Sequence, residues 1–270
     1  MNTFFRAVAA TAATLFLTGC MAKQNLPGEY HGQGVWNHFL SISTEHAPGK
    51  SAGTVLGGSL RFGTPDDTRR VTFMLWSSNG MPEILDEAQE TLPETRMEVY
   101  AGAGPSICSA LFKDGQMTVL MHQERQAWSG RADKENMRRL LGITMPMDLP
   151  HIYAFLTGNY LAATGNAHPV GEAITDAGKT VIDFGRKAEI QKLTLLPNGT
   201  PVRVTTQNGW DLSVSYASDQ LPSKLDGRKK TVDGEMRFIL MVKERSQKQT
   251  PGEHSHLAIP PGYRAFLLDE

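Results

Sequence analysis

The stretch Ile107–His122 reads ICSALFKDGQMTVLMH. Two apolar runs flank Lys113-Asp114-Gly115. An Asp-Gly pair between such runs is a strong hairpin signal, because a two-residue type I′ turn needs positive φ at both central positions. Residues 107–112 and 117–122 therefore pair as antiparallel strands. An antiparallel sheet built from short hairpins needs no crossover helices, and the neighbouring sequence tests whether the pattern continues.

It does so upstream. Arg96–Ala101 (RMEVYA) alternates Met97 and Val99 on one face and runs into Gly102-Ala103-Gly104-Pro105, a tight connection. Before it, Arg70–Ser77 (RVTFMLWS) puts Val71, Phe73 and Leu75 on one face and Met74 and Trp76 on the other. Apolar residues on both faces suit a strand covered on both sides, or one wall of a lined cavity. Gly53–Phe62 (GTVLGGSLRF) is a further strand, joined through the turn Pro65-Asp66-Asp67. Downstream, Arg125–Ser129 reads as one more short strand.

Helical periodicity appears in three places. Val35–His46 is apolar at Val35, Trp36, Phe39 and Leu40, and Pro48-Gly49 ends it. Asp133 is a fair N-cap for Lys134–Leu141, which Gly142 stops. Leu149–Leu156 follows, with Ile152, Phe155 and Leu156 apolar. Residues 160–179 are small and mixed and show no readable period. Strands then return: Val181–Phe184, Ile190–Leu196, Val202–Gln207, Trp210–Tyr216 and Gly234–Arg245, with Leu221–Lys230 extended between the last two. Pro197-Asn198-Gly199 and Asn208-Gly209 are the turns between the second, third and fourth of these. Roughly ten strands in meander order predict one strongly curved antiparallel sheet, with helices able to fill its concave face.

Composition narrows the function. The chain has 270 residues, 40% of them hydrophobic and 20% charged, with a formal net charge of -1. No basic field or aromatic-basic stripe points to nucleic acid. There is no Gly-x-Ser-x-Gly elbow and no phosphate loop. His254 and His256 sit in a polar stretch without Cys or carboxylate at ligand spacing, so no metal or cofactor is expected and an enzyme is not expected. Cys108 lies in the run Ile107-Cys108-Ser109-Ala110-Leu111 and reads as a small core residue. Twelve methionines, Met97 and Met117 among them, suit either an adaptable apolar site or ordinary packing.

The N-terminus carries an address. Arg6 precedes a short apolar run, Ala7–Leu17, too short to span a bilayer as a helix. The segment ends Leu17-Thr18-Gly19-Cys20, which resembles the lipobox of bacterial lipoproteins. The resemblance implies cleavage before Cys20 and acylation of that residue. Met21, where an aspartate would retain a lipoprotein at the inner membrane in many Gram-negative bacteria, favours the outer membrane, with the domain facing the periplasm. One acyl chain holds only marginally, and lipoproteins carry two or three. The chain thus divides into a signal peptide (1–19), a tether (20–34), one domain (35–245) and a C-terminal tail (246–270).

In order along the chain, the motifs resemble the LolB family of outer-membrane lipoproteins, which receive lipoproteins from a periplasmic carrier of related fold. The matching segments are Gly53–Phe62, Val71–Trp76, Arg96–Pro105, Ile107–Phe112 with Asp114-Gly115, and Met117–Met121. Leu141-Gly142, Pro146, Phe155–Gly158, Gln207–Trp210, Tyr216, Leu221-Pro222 and Met236–Glu244 continue the series. The resemblance implies an incomplete barrel closed by helices around a cavity for acyl chains. Its lining would come from Phe73, Leu75, Met97, Val99, Leu111, Met117, Val119, Leu140, Phe155 and Leu156. Implied partners are membrane lipid through Cys20, lipoprotein cargo and a periplasmic carrier, with the protein itself a monomer. In the family the tight loop projects a bulky apolar residue that helps insert cargo into the membrane. The matching loop, Gly102-Ala103-Gly104-Pro105, holds only small residues. The alternative reading is a structural or assembly lipoprotein with a solidly filled core.

Overall fold

The computed structural model describes residues 32–45, 53–77, 94–248 apart from 103, 143, 166, 175–177 and 233, and 257–268. Cys20, the signal peptide, most of the tether, Ala103 and the His254/His256 pair lie outside the described residues.

Fourteen strands form one sheet, in the order β14-β6-β5-β4-β3-β2-β1-β13-β12-β11-β10-β9-β8-β7. The first half comprises β1 (Gly53–Gly63), β2 (Thr68–Ser77), β3 (Thr95–Tyr100), β4 (Ser106–Lys113), β5 (Gln116–Met121) and β6 (Gln126–Arg131). The second comprises β7 (Gly171–Ile174), β8 (Thr180–Asp183), β9 (Ile190–Leu195), β10 (Pro201–Thr206), β11 (Asp211–Tyr216), β12 (Pro222–Thr231) and β13 (Gly234–Lys248). Each half is a meander of local hairpins, and the long antiparallel pairing of β1 with β13 joins them. The sheet curves without closing, so it has two edges, β7 and β14 (Arg264–Leu267).

The hairpin of β4 and β5 turns as its sequence requires. Lys113 pairs with Gln116, and Asp114 and Gly115 between them hold φ of 49° and 71°. At the central seam β1 carries a bulge between Gly57 and Gly58. A Cβ on Gly58 would collide with the Met241 carbonyl and the Phe73 ring, so only glycine lets β13 approach there.

Among the described residues four helices accompany the sheet: α1 (Gly32–Glu45), α2 (Lys134–Leu141), α3 (Leu149–Leu156) and α4 (Tyr160–Ala163). Helix α2 has the expected stops, with the Asp133 carboxylate accepting from the Asn136 N–H and Gly142 left-handed at φ 64°. All eight residues of α3 are buried. Tyr153 donates to the Thr54 carbonyl at 2.8 Å, tying α3 to β1. Arg245 of β13 donates to the Leu156 carbonyl at 2.8 Å, satisfying an orphan acceptor at the α3 C-terminus. Helix α1 is linked to α4 by the Leu161 N–H bonding to Ser43 Oγ at 2.7 Å, and Phe39 stacks on Tyr160 at 6.0 Å. Among the described residues no helix is long and apolar enough to cross a membrane.

Several element bounds differ from the sequence reading. Helix α1 begins at Gly32, within the segment read as tether. Strand β13 runs on to Lys248. Residues 264–267, read as tail, are a strand that pairs in parallel with β6. A four-residue edge strand has too little alternation to announce itself, and its partner lies well over 100 positions upstream. The unreadable 160–179 interval contains α4 and β7, both only four residues long.

Candidate functional site

One row of paired residues crosses the first half of the sheet on its inner face. It runs Leu56, Leu75, Met97, Ala110, Val119, Trp128 and Phe266. Directly paired residues share a face of a sheet, so the whole row looks the same way. From Leu56 to Val119 every member is at most 3% exposed. At Trp128 and Phe266 the row emerges and is half-buried.

Most sequence-nominated cavity residues lie at the covered end. Phe73, Leu75, Met97, Val99, Met117, Val119, Phe155 and Leu156 all belong to a single buried apolar cluster with the inner face of α3. The structure brings these eight together as packed core. Leu111 does not join them. In β4 the inward set is Cys108, Ala110 and Phe112, so strict alternation turns Leu111 to the opposite face, where it is half-buried. A run apolar at nearly every position hides its phase, and the sequence reading took the wrong one. Leu140 is half-buried on α2. The small loop is exposed at Gly102, Gly104 and Pro105, with Gly102 left-handed at φ 67° and its carbonyl accepting from Thr72 at 3.1 Å.

Where the row emerges, the inner face opens into a pocket of about 460 Å³. Its lining comes from Met121, Glu124, Gln126 and Trp128, from Arg139 and Leu140 of α2, and from Leu267 and Leu268 at the C-terminal strand. Its volume is in the range of small-molecule sites. The Trp128 indole donates to Gln126 at 3.2 Å and its ring stacks on Phe266 at 4.5 Å. Arg139 donates to the Leu268 carbonyl at 3.3 Å, tying the C-terminal segment to α2. The segment before β14 is clasped to the sheet: His122 sits between Ser109 and Tyr263, 2.8 Å from each hydroxyl. Of the ten nominated residues only Leu140 lines this pocket. Met121 and Trp128 could have been found by carrying the inner-face phase of β5 into β6. Leu267 and Leu268 could not, because their role depends on the C-terminal strand docking.

Burial dominates the ionisation of the covered half. It pushes the Cys108 thiol up to about 12, with Glu124 adding to the effect, and the Tyr153 hydroxyl up to about 12. Cys108 is therefore an inert core thiol.

No protein-family model and no curated protein sequence matches this chain. Solved structures do. The LolA superfamily protein NE2245 from Nitrosomonas europaea aligns with a TM-score of 0.52 at 14% identity, covering 82% of this chain and 97% of that one. A DUF1329 family protein from Desulfovibrio piger aligns with a TM-score of 0.50 at 8% identity, covering 80% of this chain and 92% of that one. Identities this low speak to architecture, and the architecture agrees along the length of the domain: this chain has the fold of the LolA superfamily, a large curved and unclosed antiparallel sheet with a few helices.

Proposed function

We propose that this protein is a lipid-anchored envelope lipoprotein that binds acyl chains reversibly, as an acceptor or chaperone in outer-membrane lipoprotein localisation. The observation that carries this reading is the half-open pocket on the inner face of a LolA-type sheet, where apolar Met121, Trp128, Leu140 and Leu268 stand beside polar Glu124, Gln126 and Arg139. Cys20 is its membrane attachment, and the domain faces the periplasm. Cargo passes to and from the pocket without a covalent step. Each buried methylene contributes ~0.8 kcal/mol, so about eight of them supply ~6 kcal/mol before the cost of association is subtracted, which keeps binding weak and release easy. Arg139 and Glu124 in the lining suit the polar linkage at the head of an acyl chain. The exposed Gly102, Gly104 and Pro105 bring no large apolar side chain to a bilayer, so the reading covers holding cargo and assigns insertion to no residue of that loop.

The solid core beneath α3 favours a second reading, a structural or assembly lipoprotein that carries no lipid. Native mass spectrometry of the mature chain lacking its own acyl group separates the two. A retained lipid, or uptake of an added acyl peptide that Leu140→Asp abolishes, supports the carrier. A clean apo mass with no uptake supports the structural protein.

A further inference from the structure

On the far side of α2 from the pocket, three potential ligands converge from two segments distant in sequence. Asp148 is the N-cap of α3 and His151 lies in its first turn, while Glu189 comes from the connection before β9. One ligand atom from each falls within 4.8 Å of the others. The spacing Asp-x-x-His puts both α3 residues on one side of the helix.

Asp148 and His151 are more available than their positions imply. Asp148 makes no side-chain capping bond to its own helix, which is what an N-cap aspartate ordinarily does. His151 is 8% exposed, and its Nδ1 is buried without a hydrogen-bond partner. An unsatisfied buried imidazole nitrogen costs free energy that nothing nearby returns. Glu189 is held by two donors: Lys134 Nζ at 2.6 Å from Oε2 and the Asp148 N–H at 3.2 Å from Oε1. Two carboxylates facing one ammonium leave one negative charge uncompensated in a largely desolvated place.

We propose that Asp148, His151 and Glu189 form a binding site for one divalent transition-metal ion, zinc being the member that fits best. An imidazole with two carboxylates is a borderline donor set, suited to zinc more than to magnesium or calcium, which prefer all-oxygen shells. Three protein ligands leave a fourth tetrahedral position for water. The ion supplies the missing partner for His151 and neutralises the carboxylate pair. Lys134 is the resident cation that the metal displaces or is joined by. Because α2 carries Lys134 on one side and Arg139 and Leu140 on another, an ion here would brace the helix that walls the pocket.

The test is titration of the full mature chain with Zn²⁺ against a chromophoric chelator, with Co²⁺ absorption as a second readout. The expected result is one site per chain, weakened more than about tenfold by His151→Ala, by His151→Gln and by Glu189→Gln. The low-symmetry Co²⁺ visible bands should vanish in the same variants. Lys134→Ala should bind at least as tightly as the parent, since it removes the competing cation. Far-ultraviolet circular dichroism verifies that each variant is folded. Absence of micromolar Zn²⁺ binding by the folded parent overturns the proposal. So does binding that survives His151→Gln, or binding lost only when His254 and His256 are replaced, which would put the ion on the C-terminal segment.

Discussion

Helices α2 and α3 are the same length and lie over the same sheet, yet they do opposite things. Helix α3 (LPHIYAFL) buries every residue, packs on the inner face at β2, β3 and β12 and turns it into core. Helix α2 (KENMRRLL) buries only Asn136 and Met137 and leaves the face over β5, β6 and β14 open. The strands beneath both present apolar side chains, so strand chemistry does not distinguish core from pocket. The cover does. An apolar helix on all sides must be surrounded, whereas one with four charged residues in eight can only lean on the sheet.

The largest effect expected from breaking this contrast is at Phe155. Phe155→Ala in the covered half should cost about 3–5 kcal/mol by denaturant unfolding, while folded protein keeps its affinity for acyl peptide within about twofold. A loss under ~1 kcal/mol would mean that the covered half is not close-packed.

Raising the pH probes the same half. The Cys108 thiol is held protonated up to about 12 in the fold, against an ordinary value of 9.0. The native state then binds a proton that the unfolded chain releases, so stability falls as pH climbs from about 9 towards 12. The loss by pH 11 should be on the order of 2 kcal/mol from this group. Tyr153 and Tyr160, both raised to about 12 by burial, act in the same direction at higher pH. Cys108→Ala should flatten the slope between pH 9 and 10. An unchanged slope would show that the thiol is not the group responsible.

In the open half the balance reverses. Trp128→Ala removes part of the pocket lining and the stack on Phe266, and should cost about 1 kcal/mol of stability. Binding of an acyl peptide, read by calorimetry, should fall about tenfold or more. A large stability loss with unchanged binding would make the open half core as well.

The smallest effect is expected at Leu111. Lying on the opposite face, Leu111→Ser should shift unfolding by less than about 1 kcal/mol and leave binding alone. A cost matching that of Phe155→Ala would return Leu111 to the inner face.

Sequence alone was enough for the hairpins and for the ends of α2, because these depend on a few residues whose local physics has no rival. A two-residue hairpin turn needs positive φ, and Asp114-Gly115 adopts it at little cost. Asp133 and Gly142 bracket α2 by hydrogen bonding and left-handed geometry within one turn. The mainly antiparallel class follows from such turns repeating. Only tertiary structure could decide which apolar residues are core and which line a pocket. That choice depends on where two helices land and on whether residues 264–268 return to the sheet edge, contacts made across more than 100 positions of sequence. Alternation tells a residue that it has a face; the phase of a uniformly apolar strand, and what covers that face, is set by packing between segments that do not know of each other until the chain has folded.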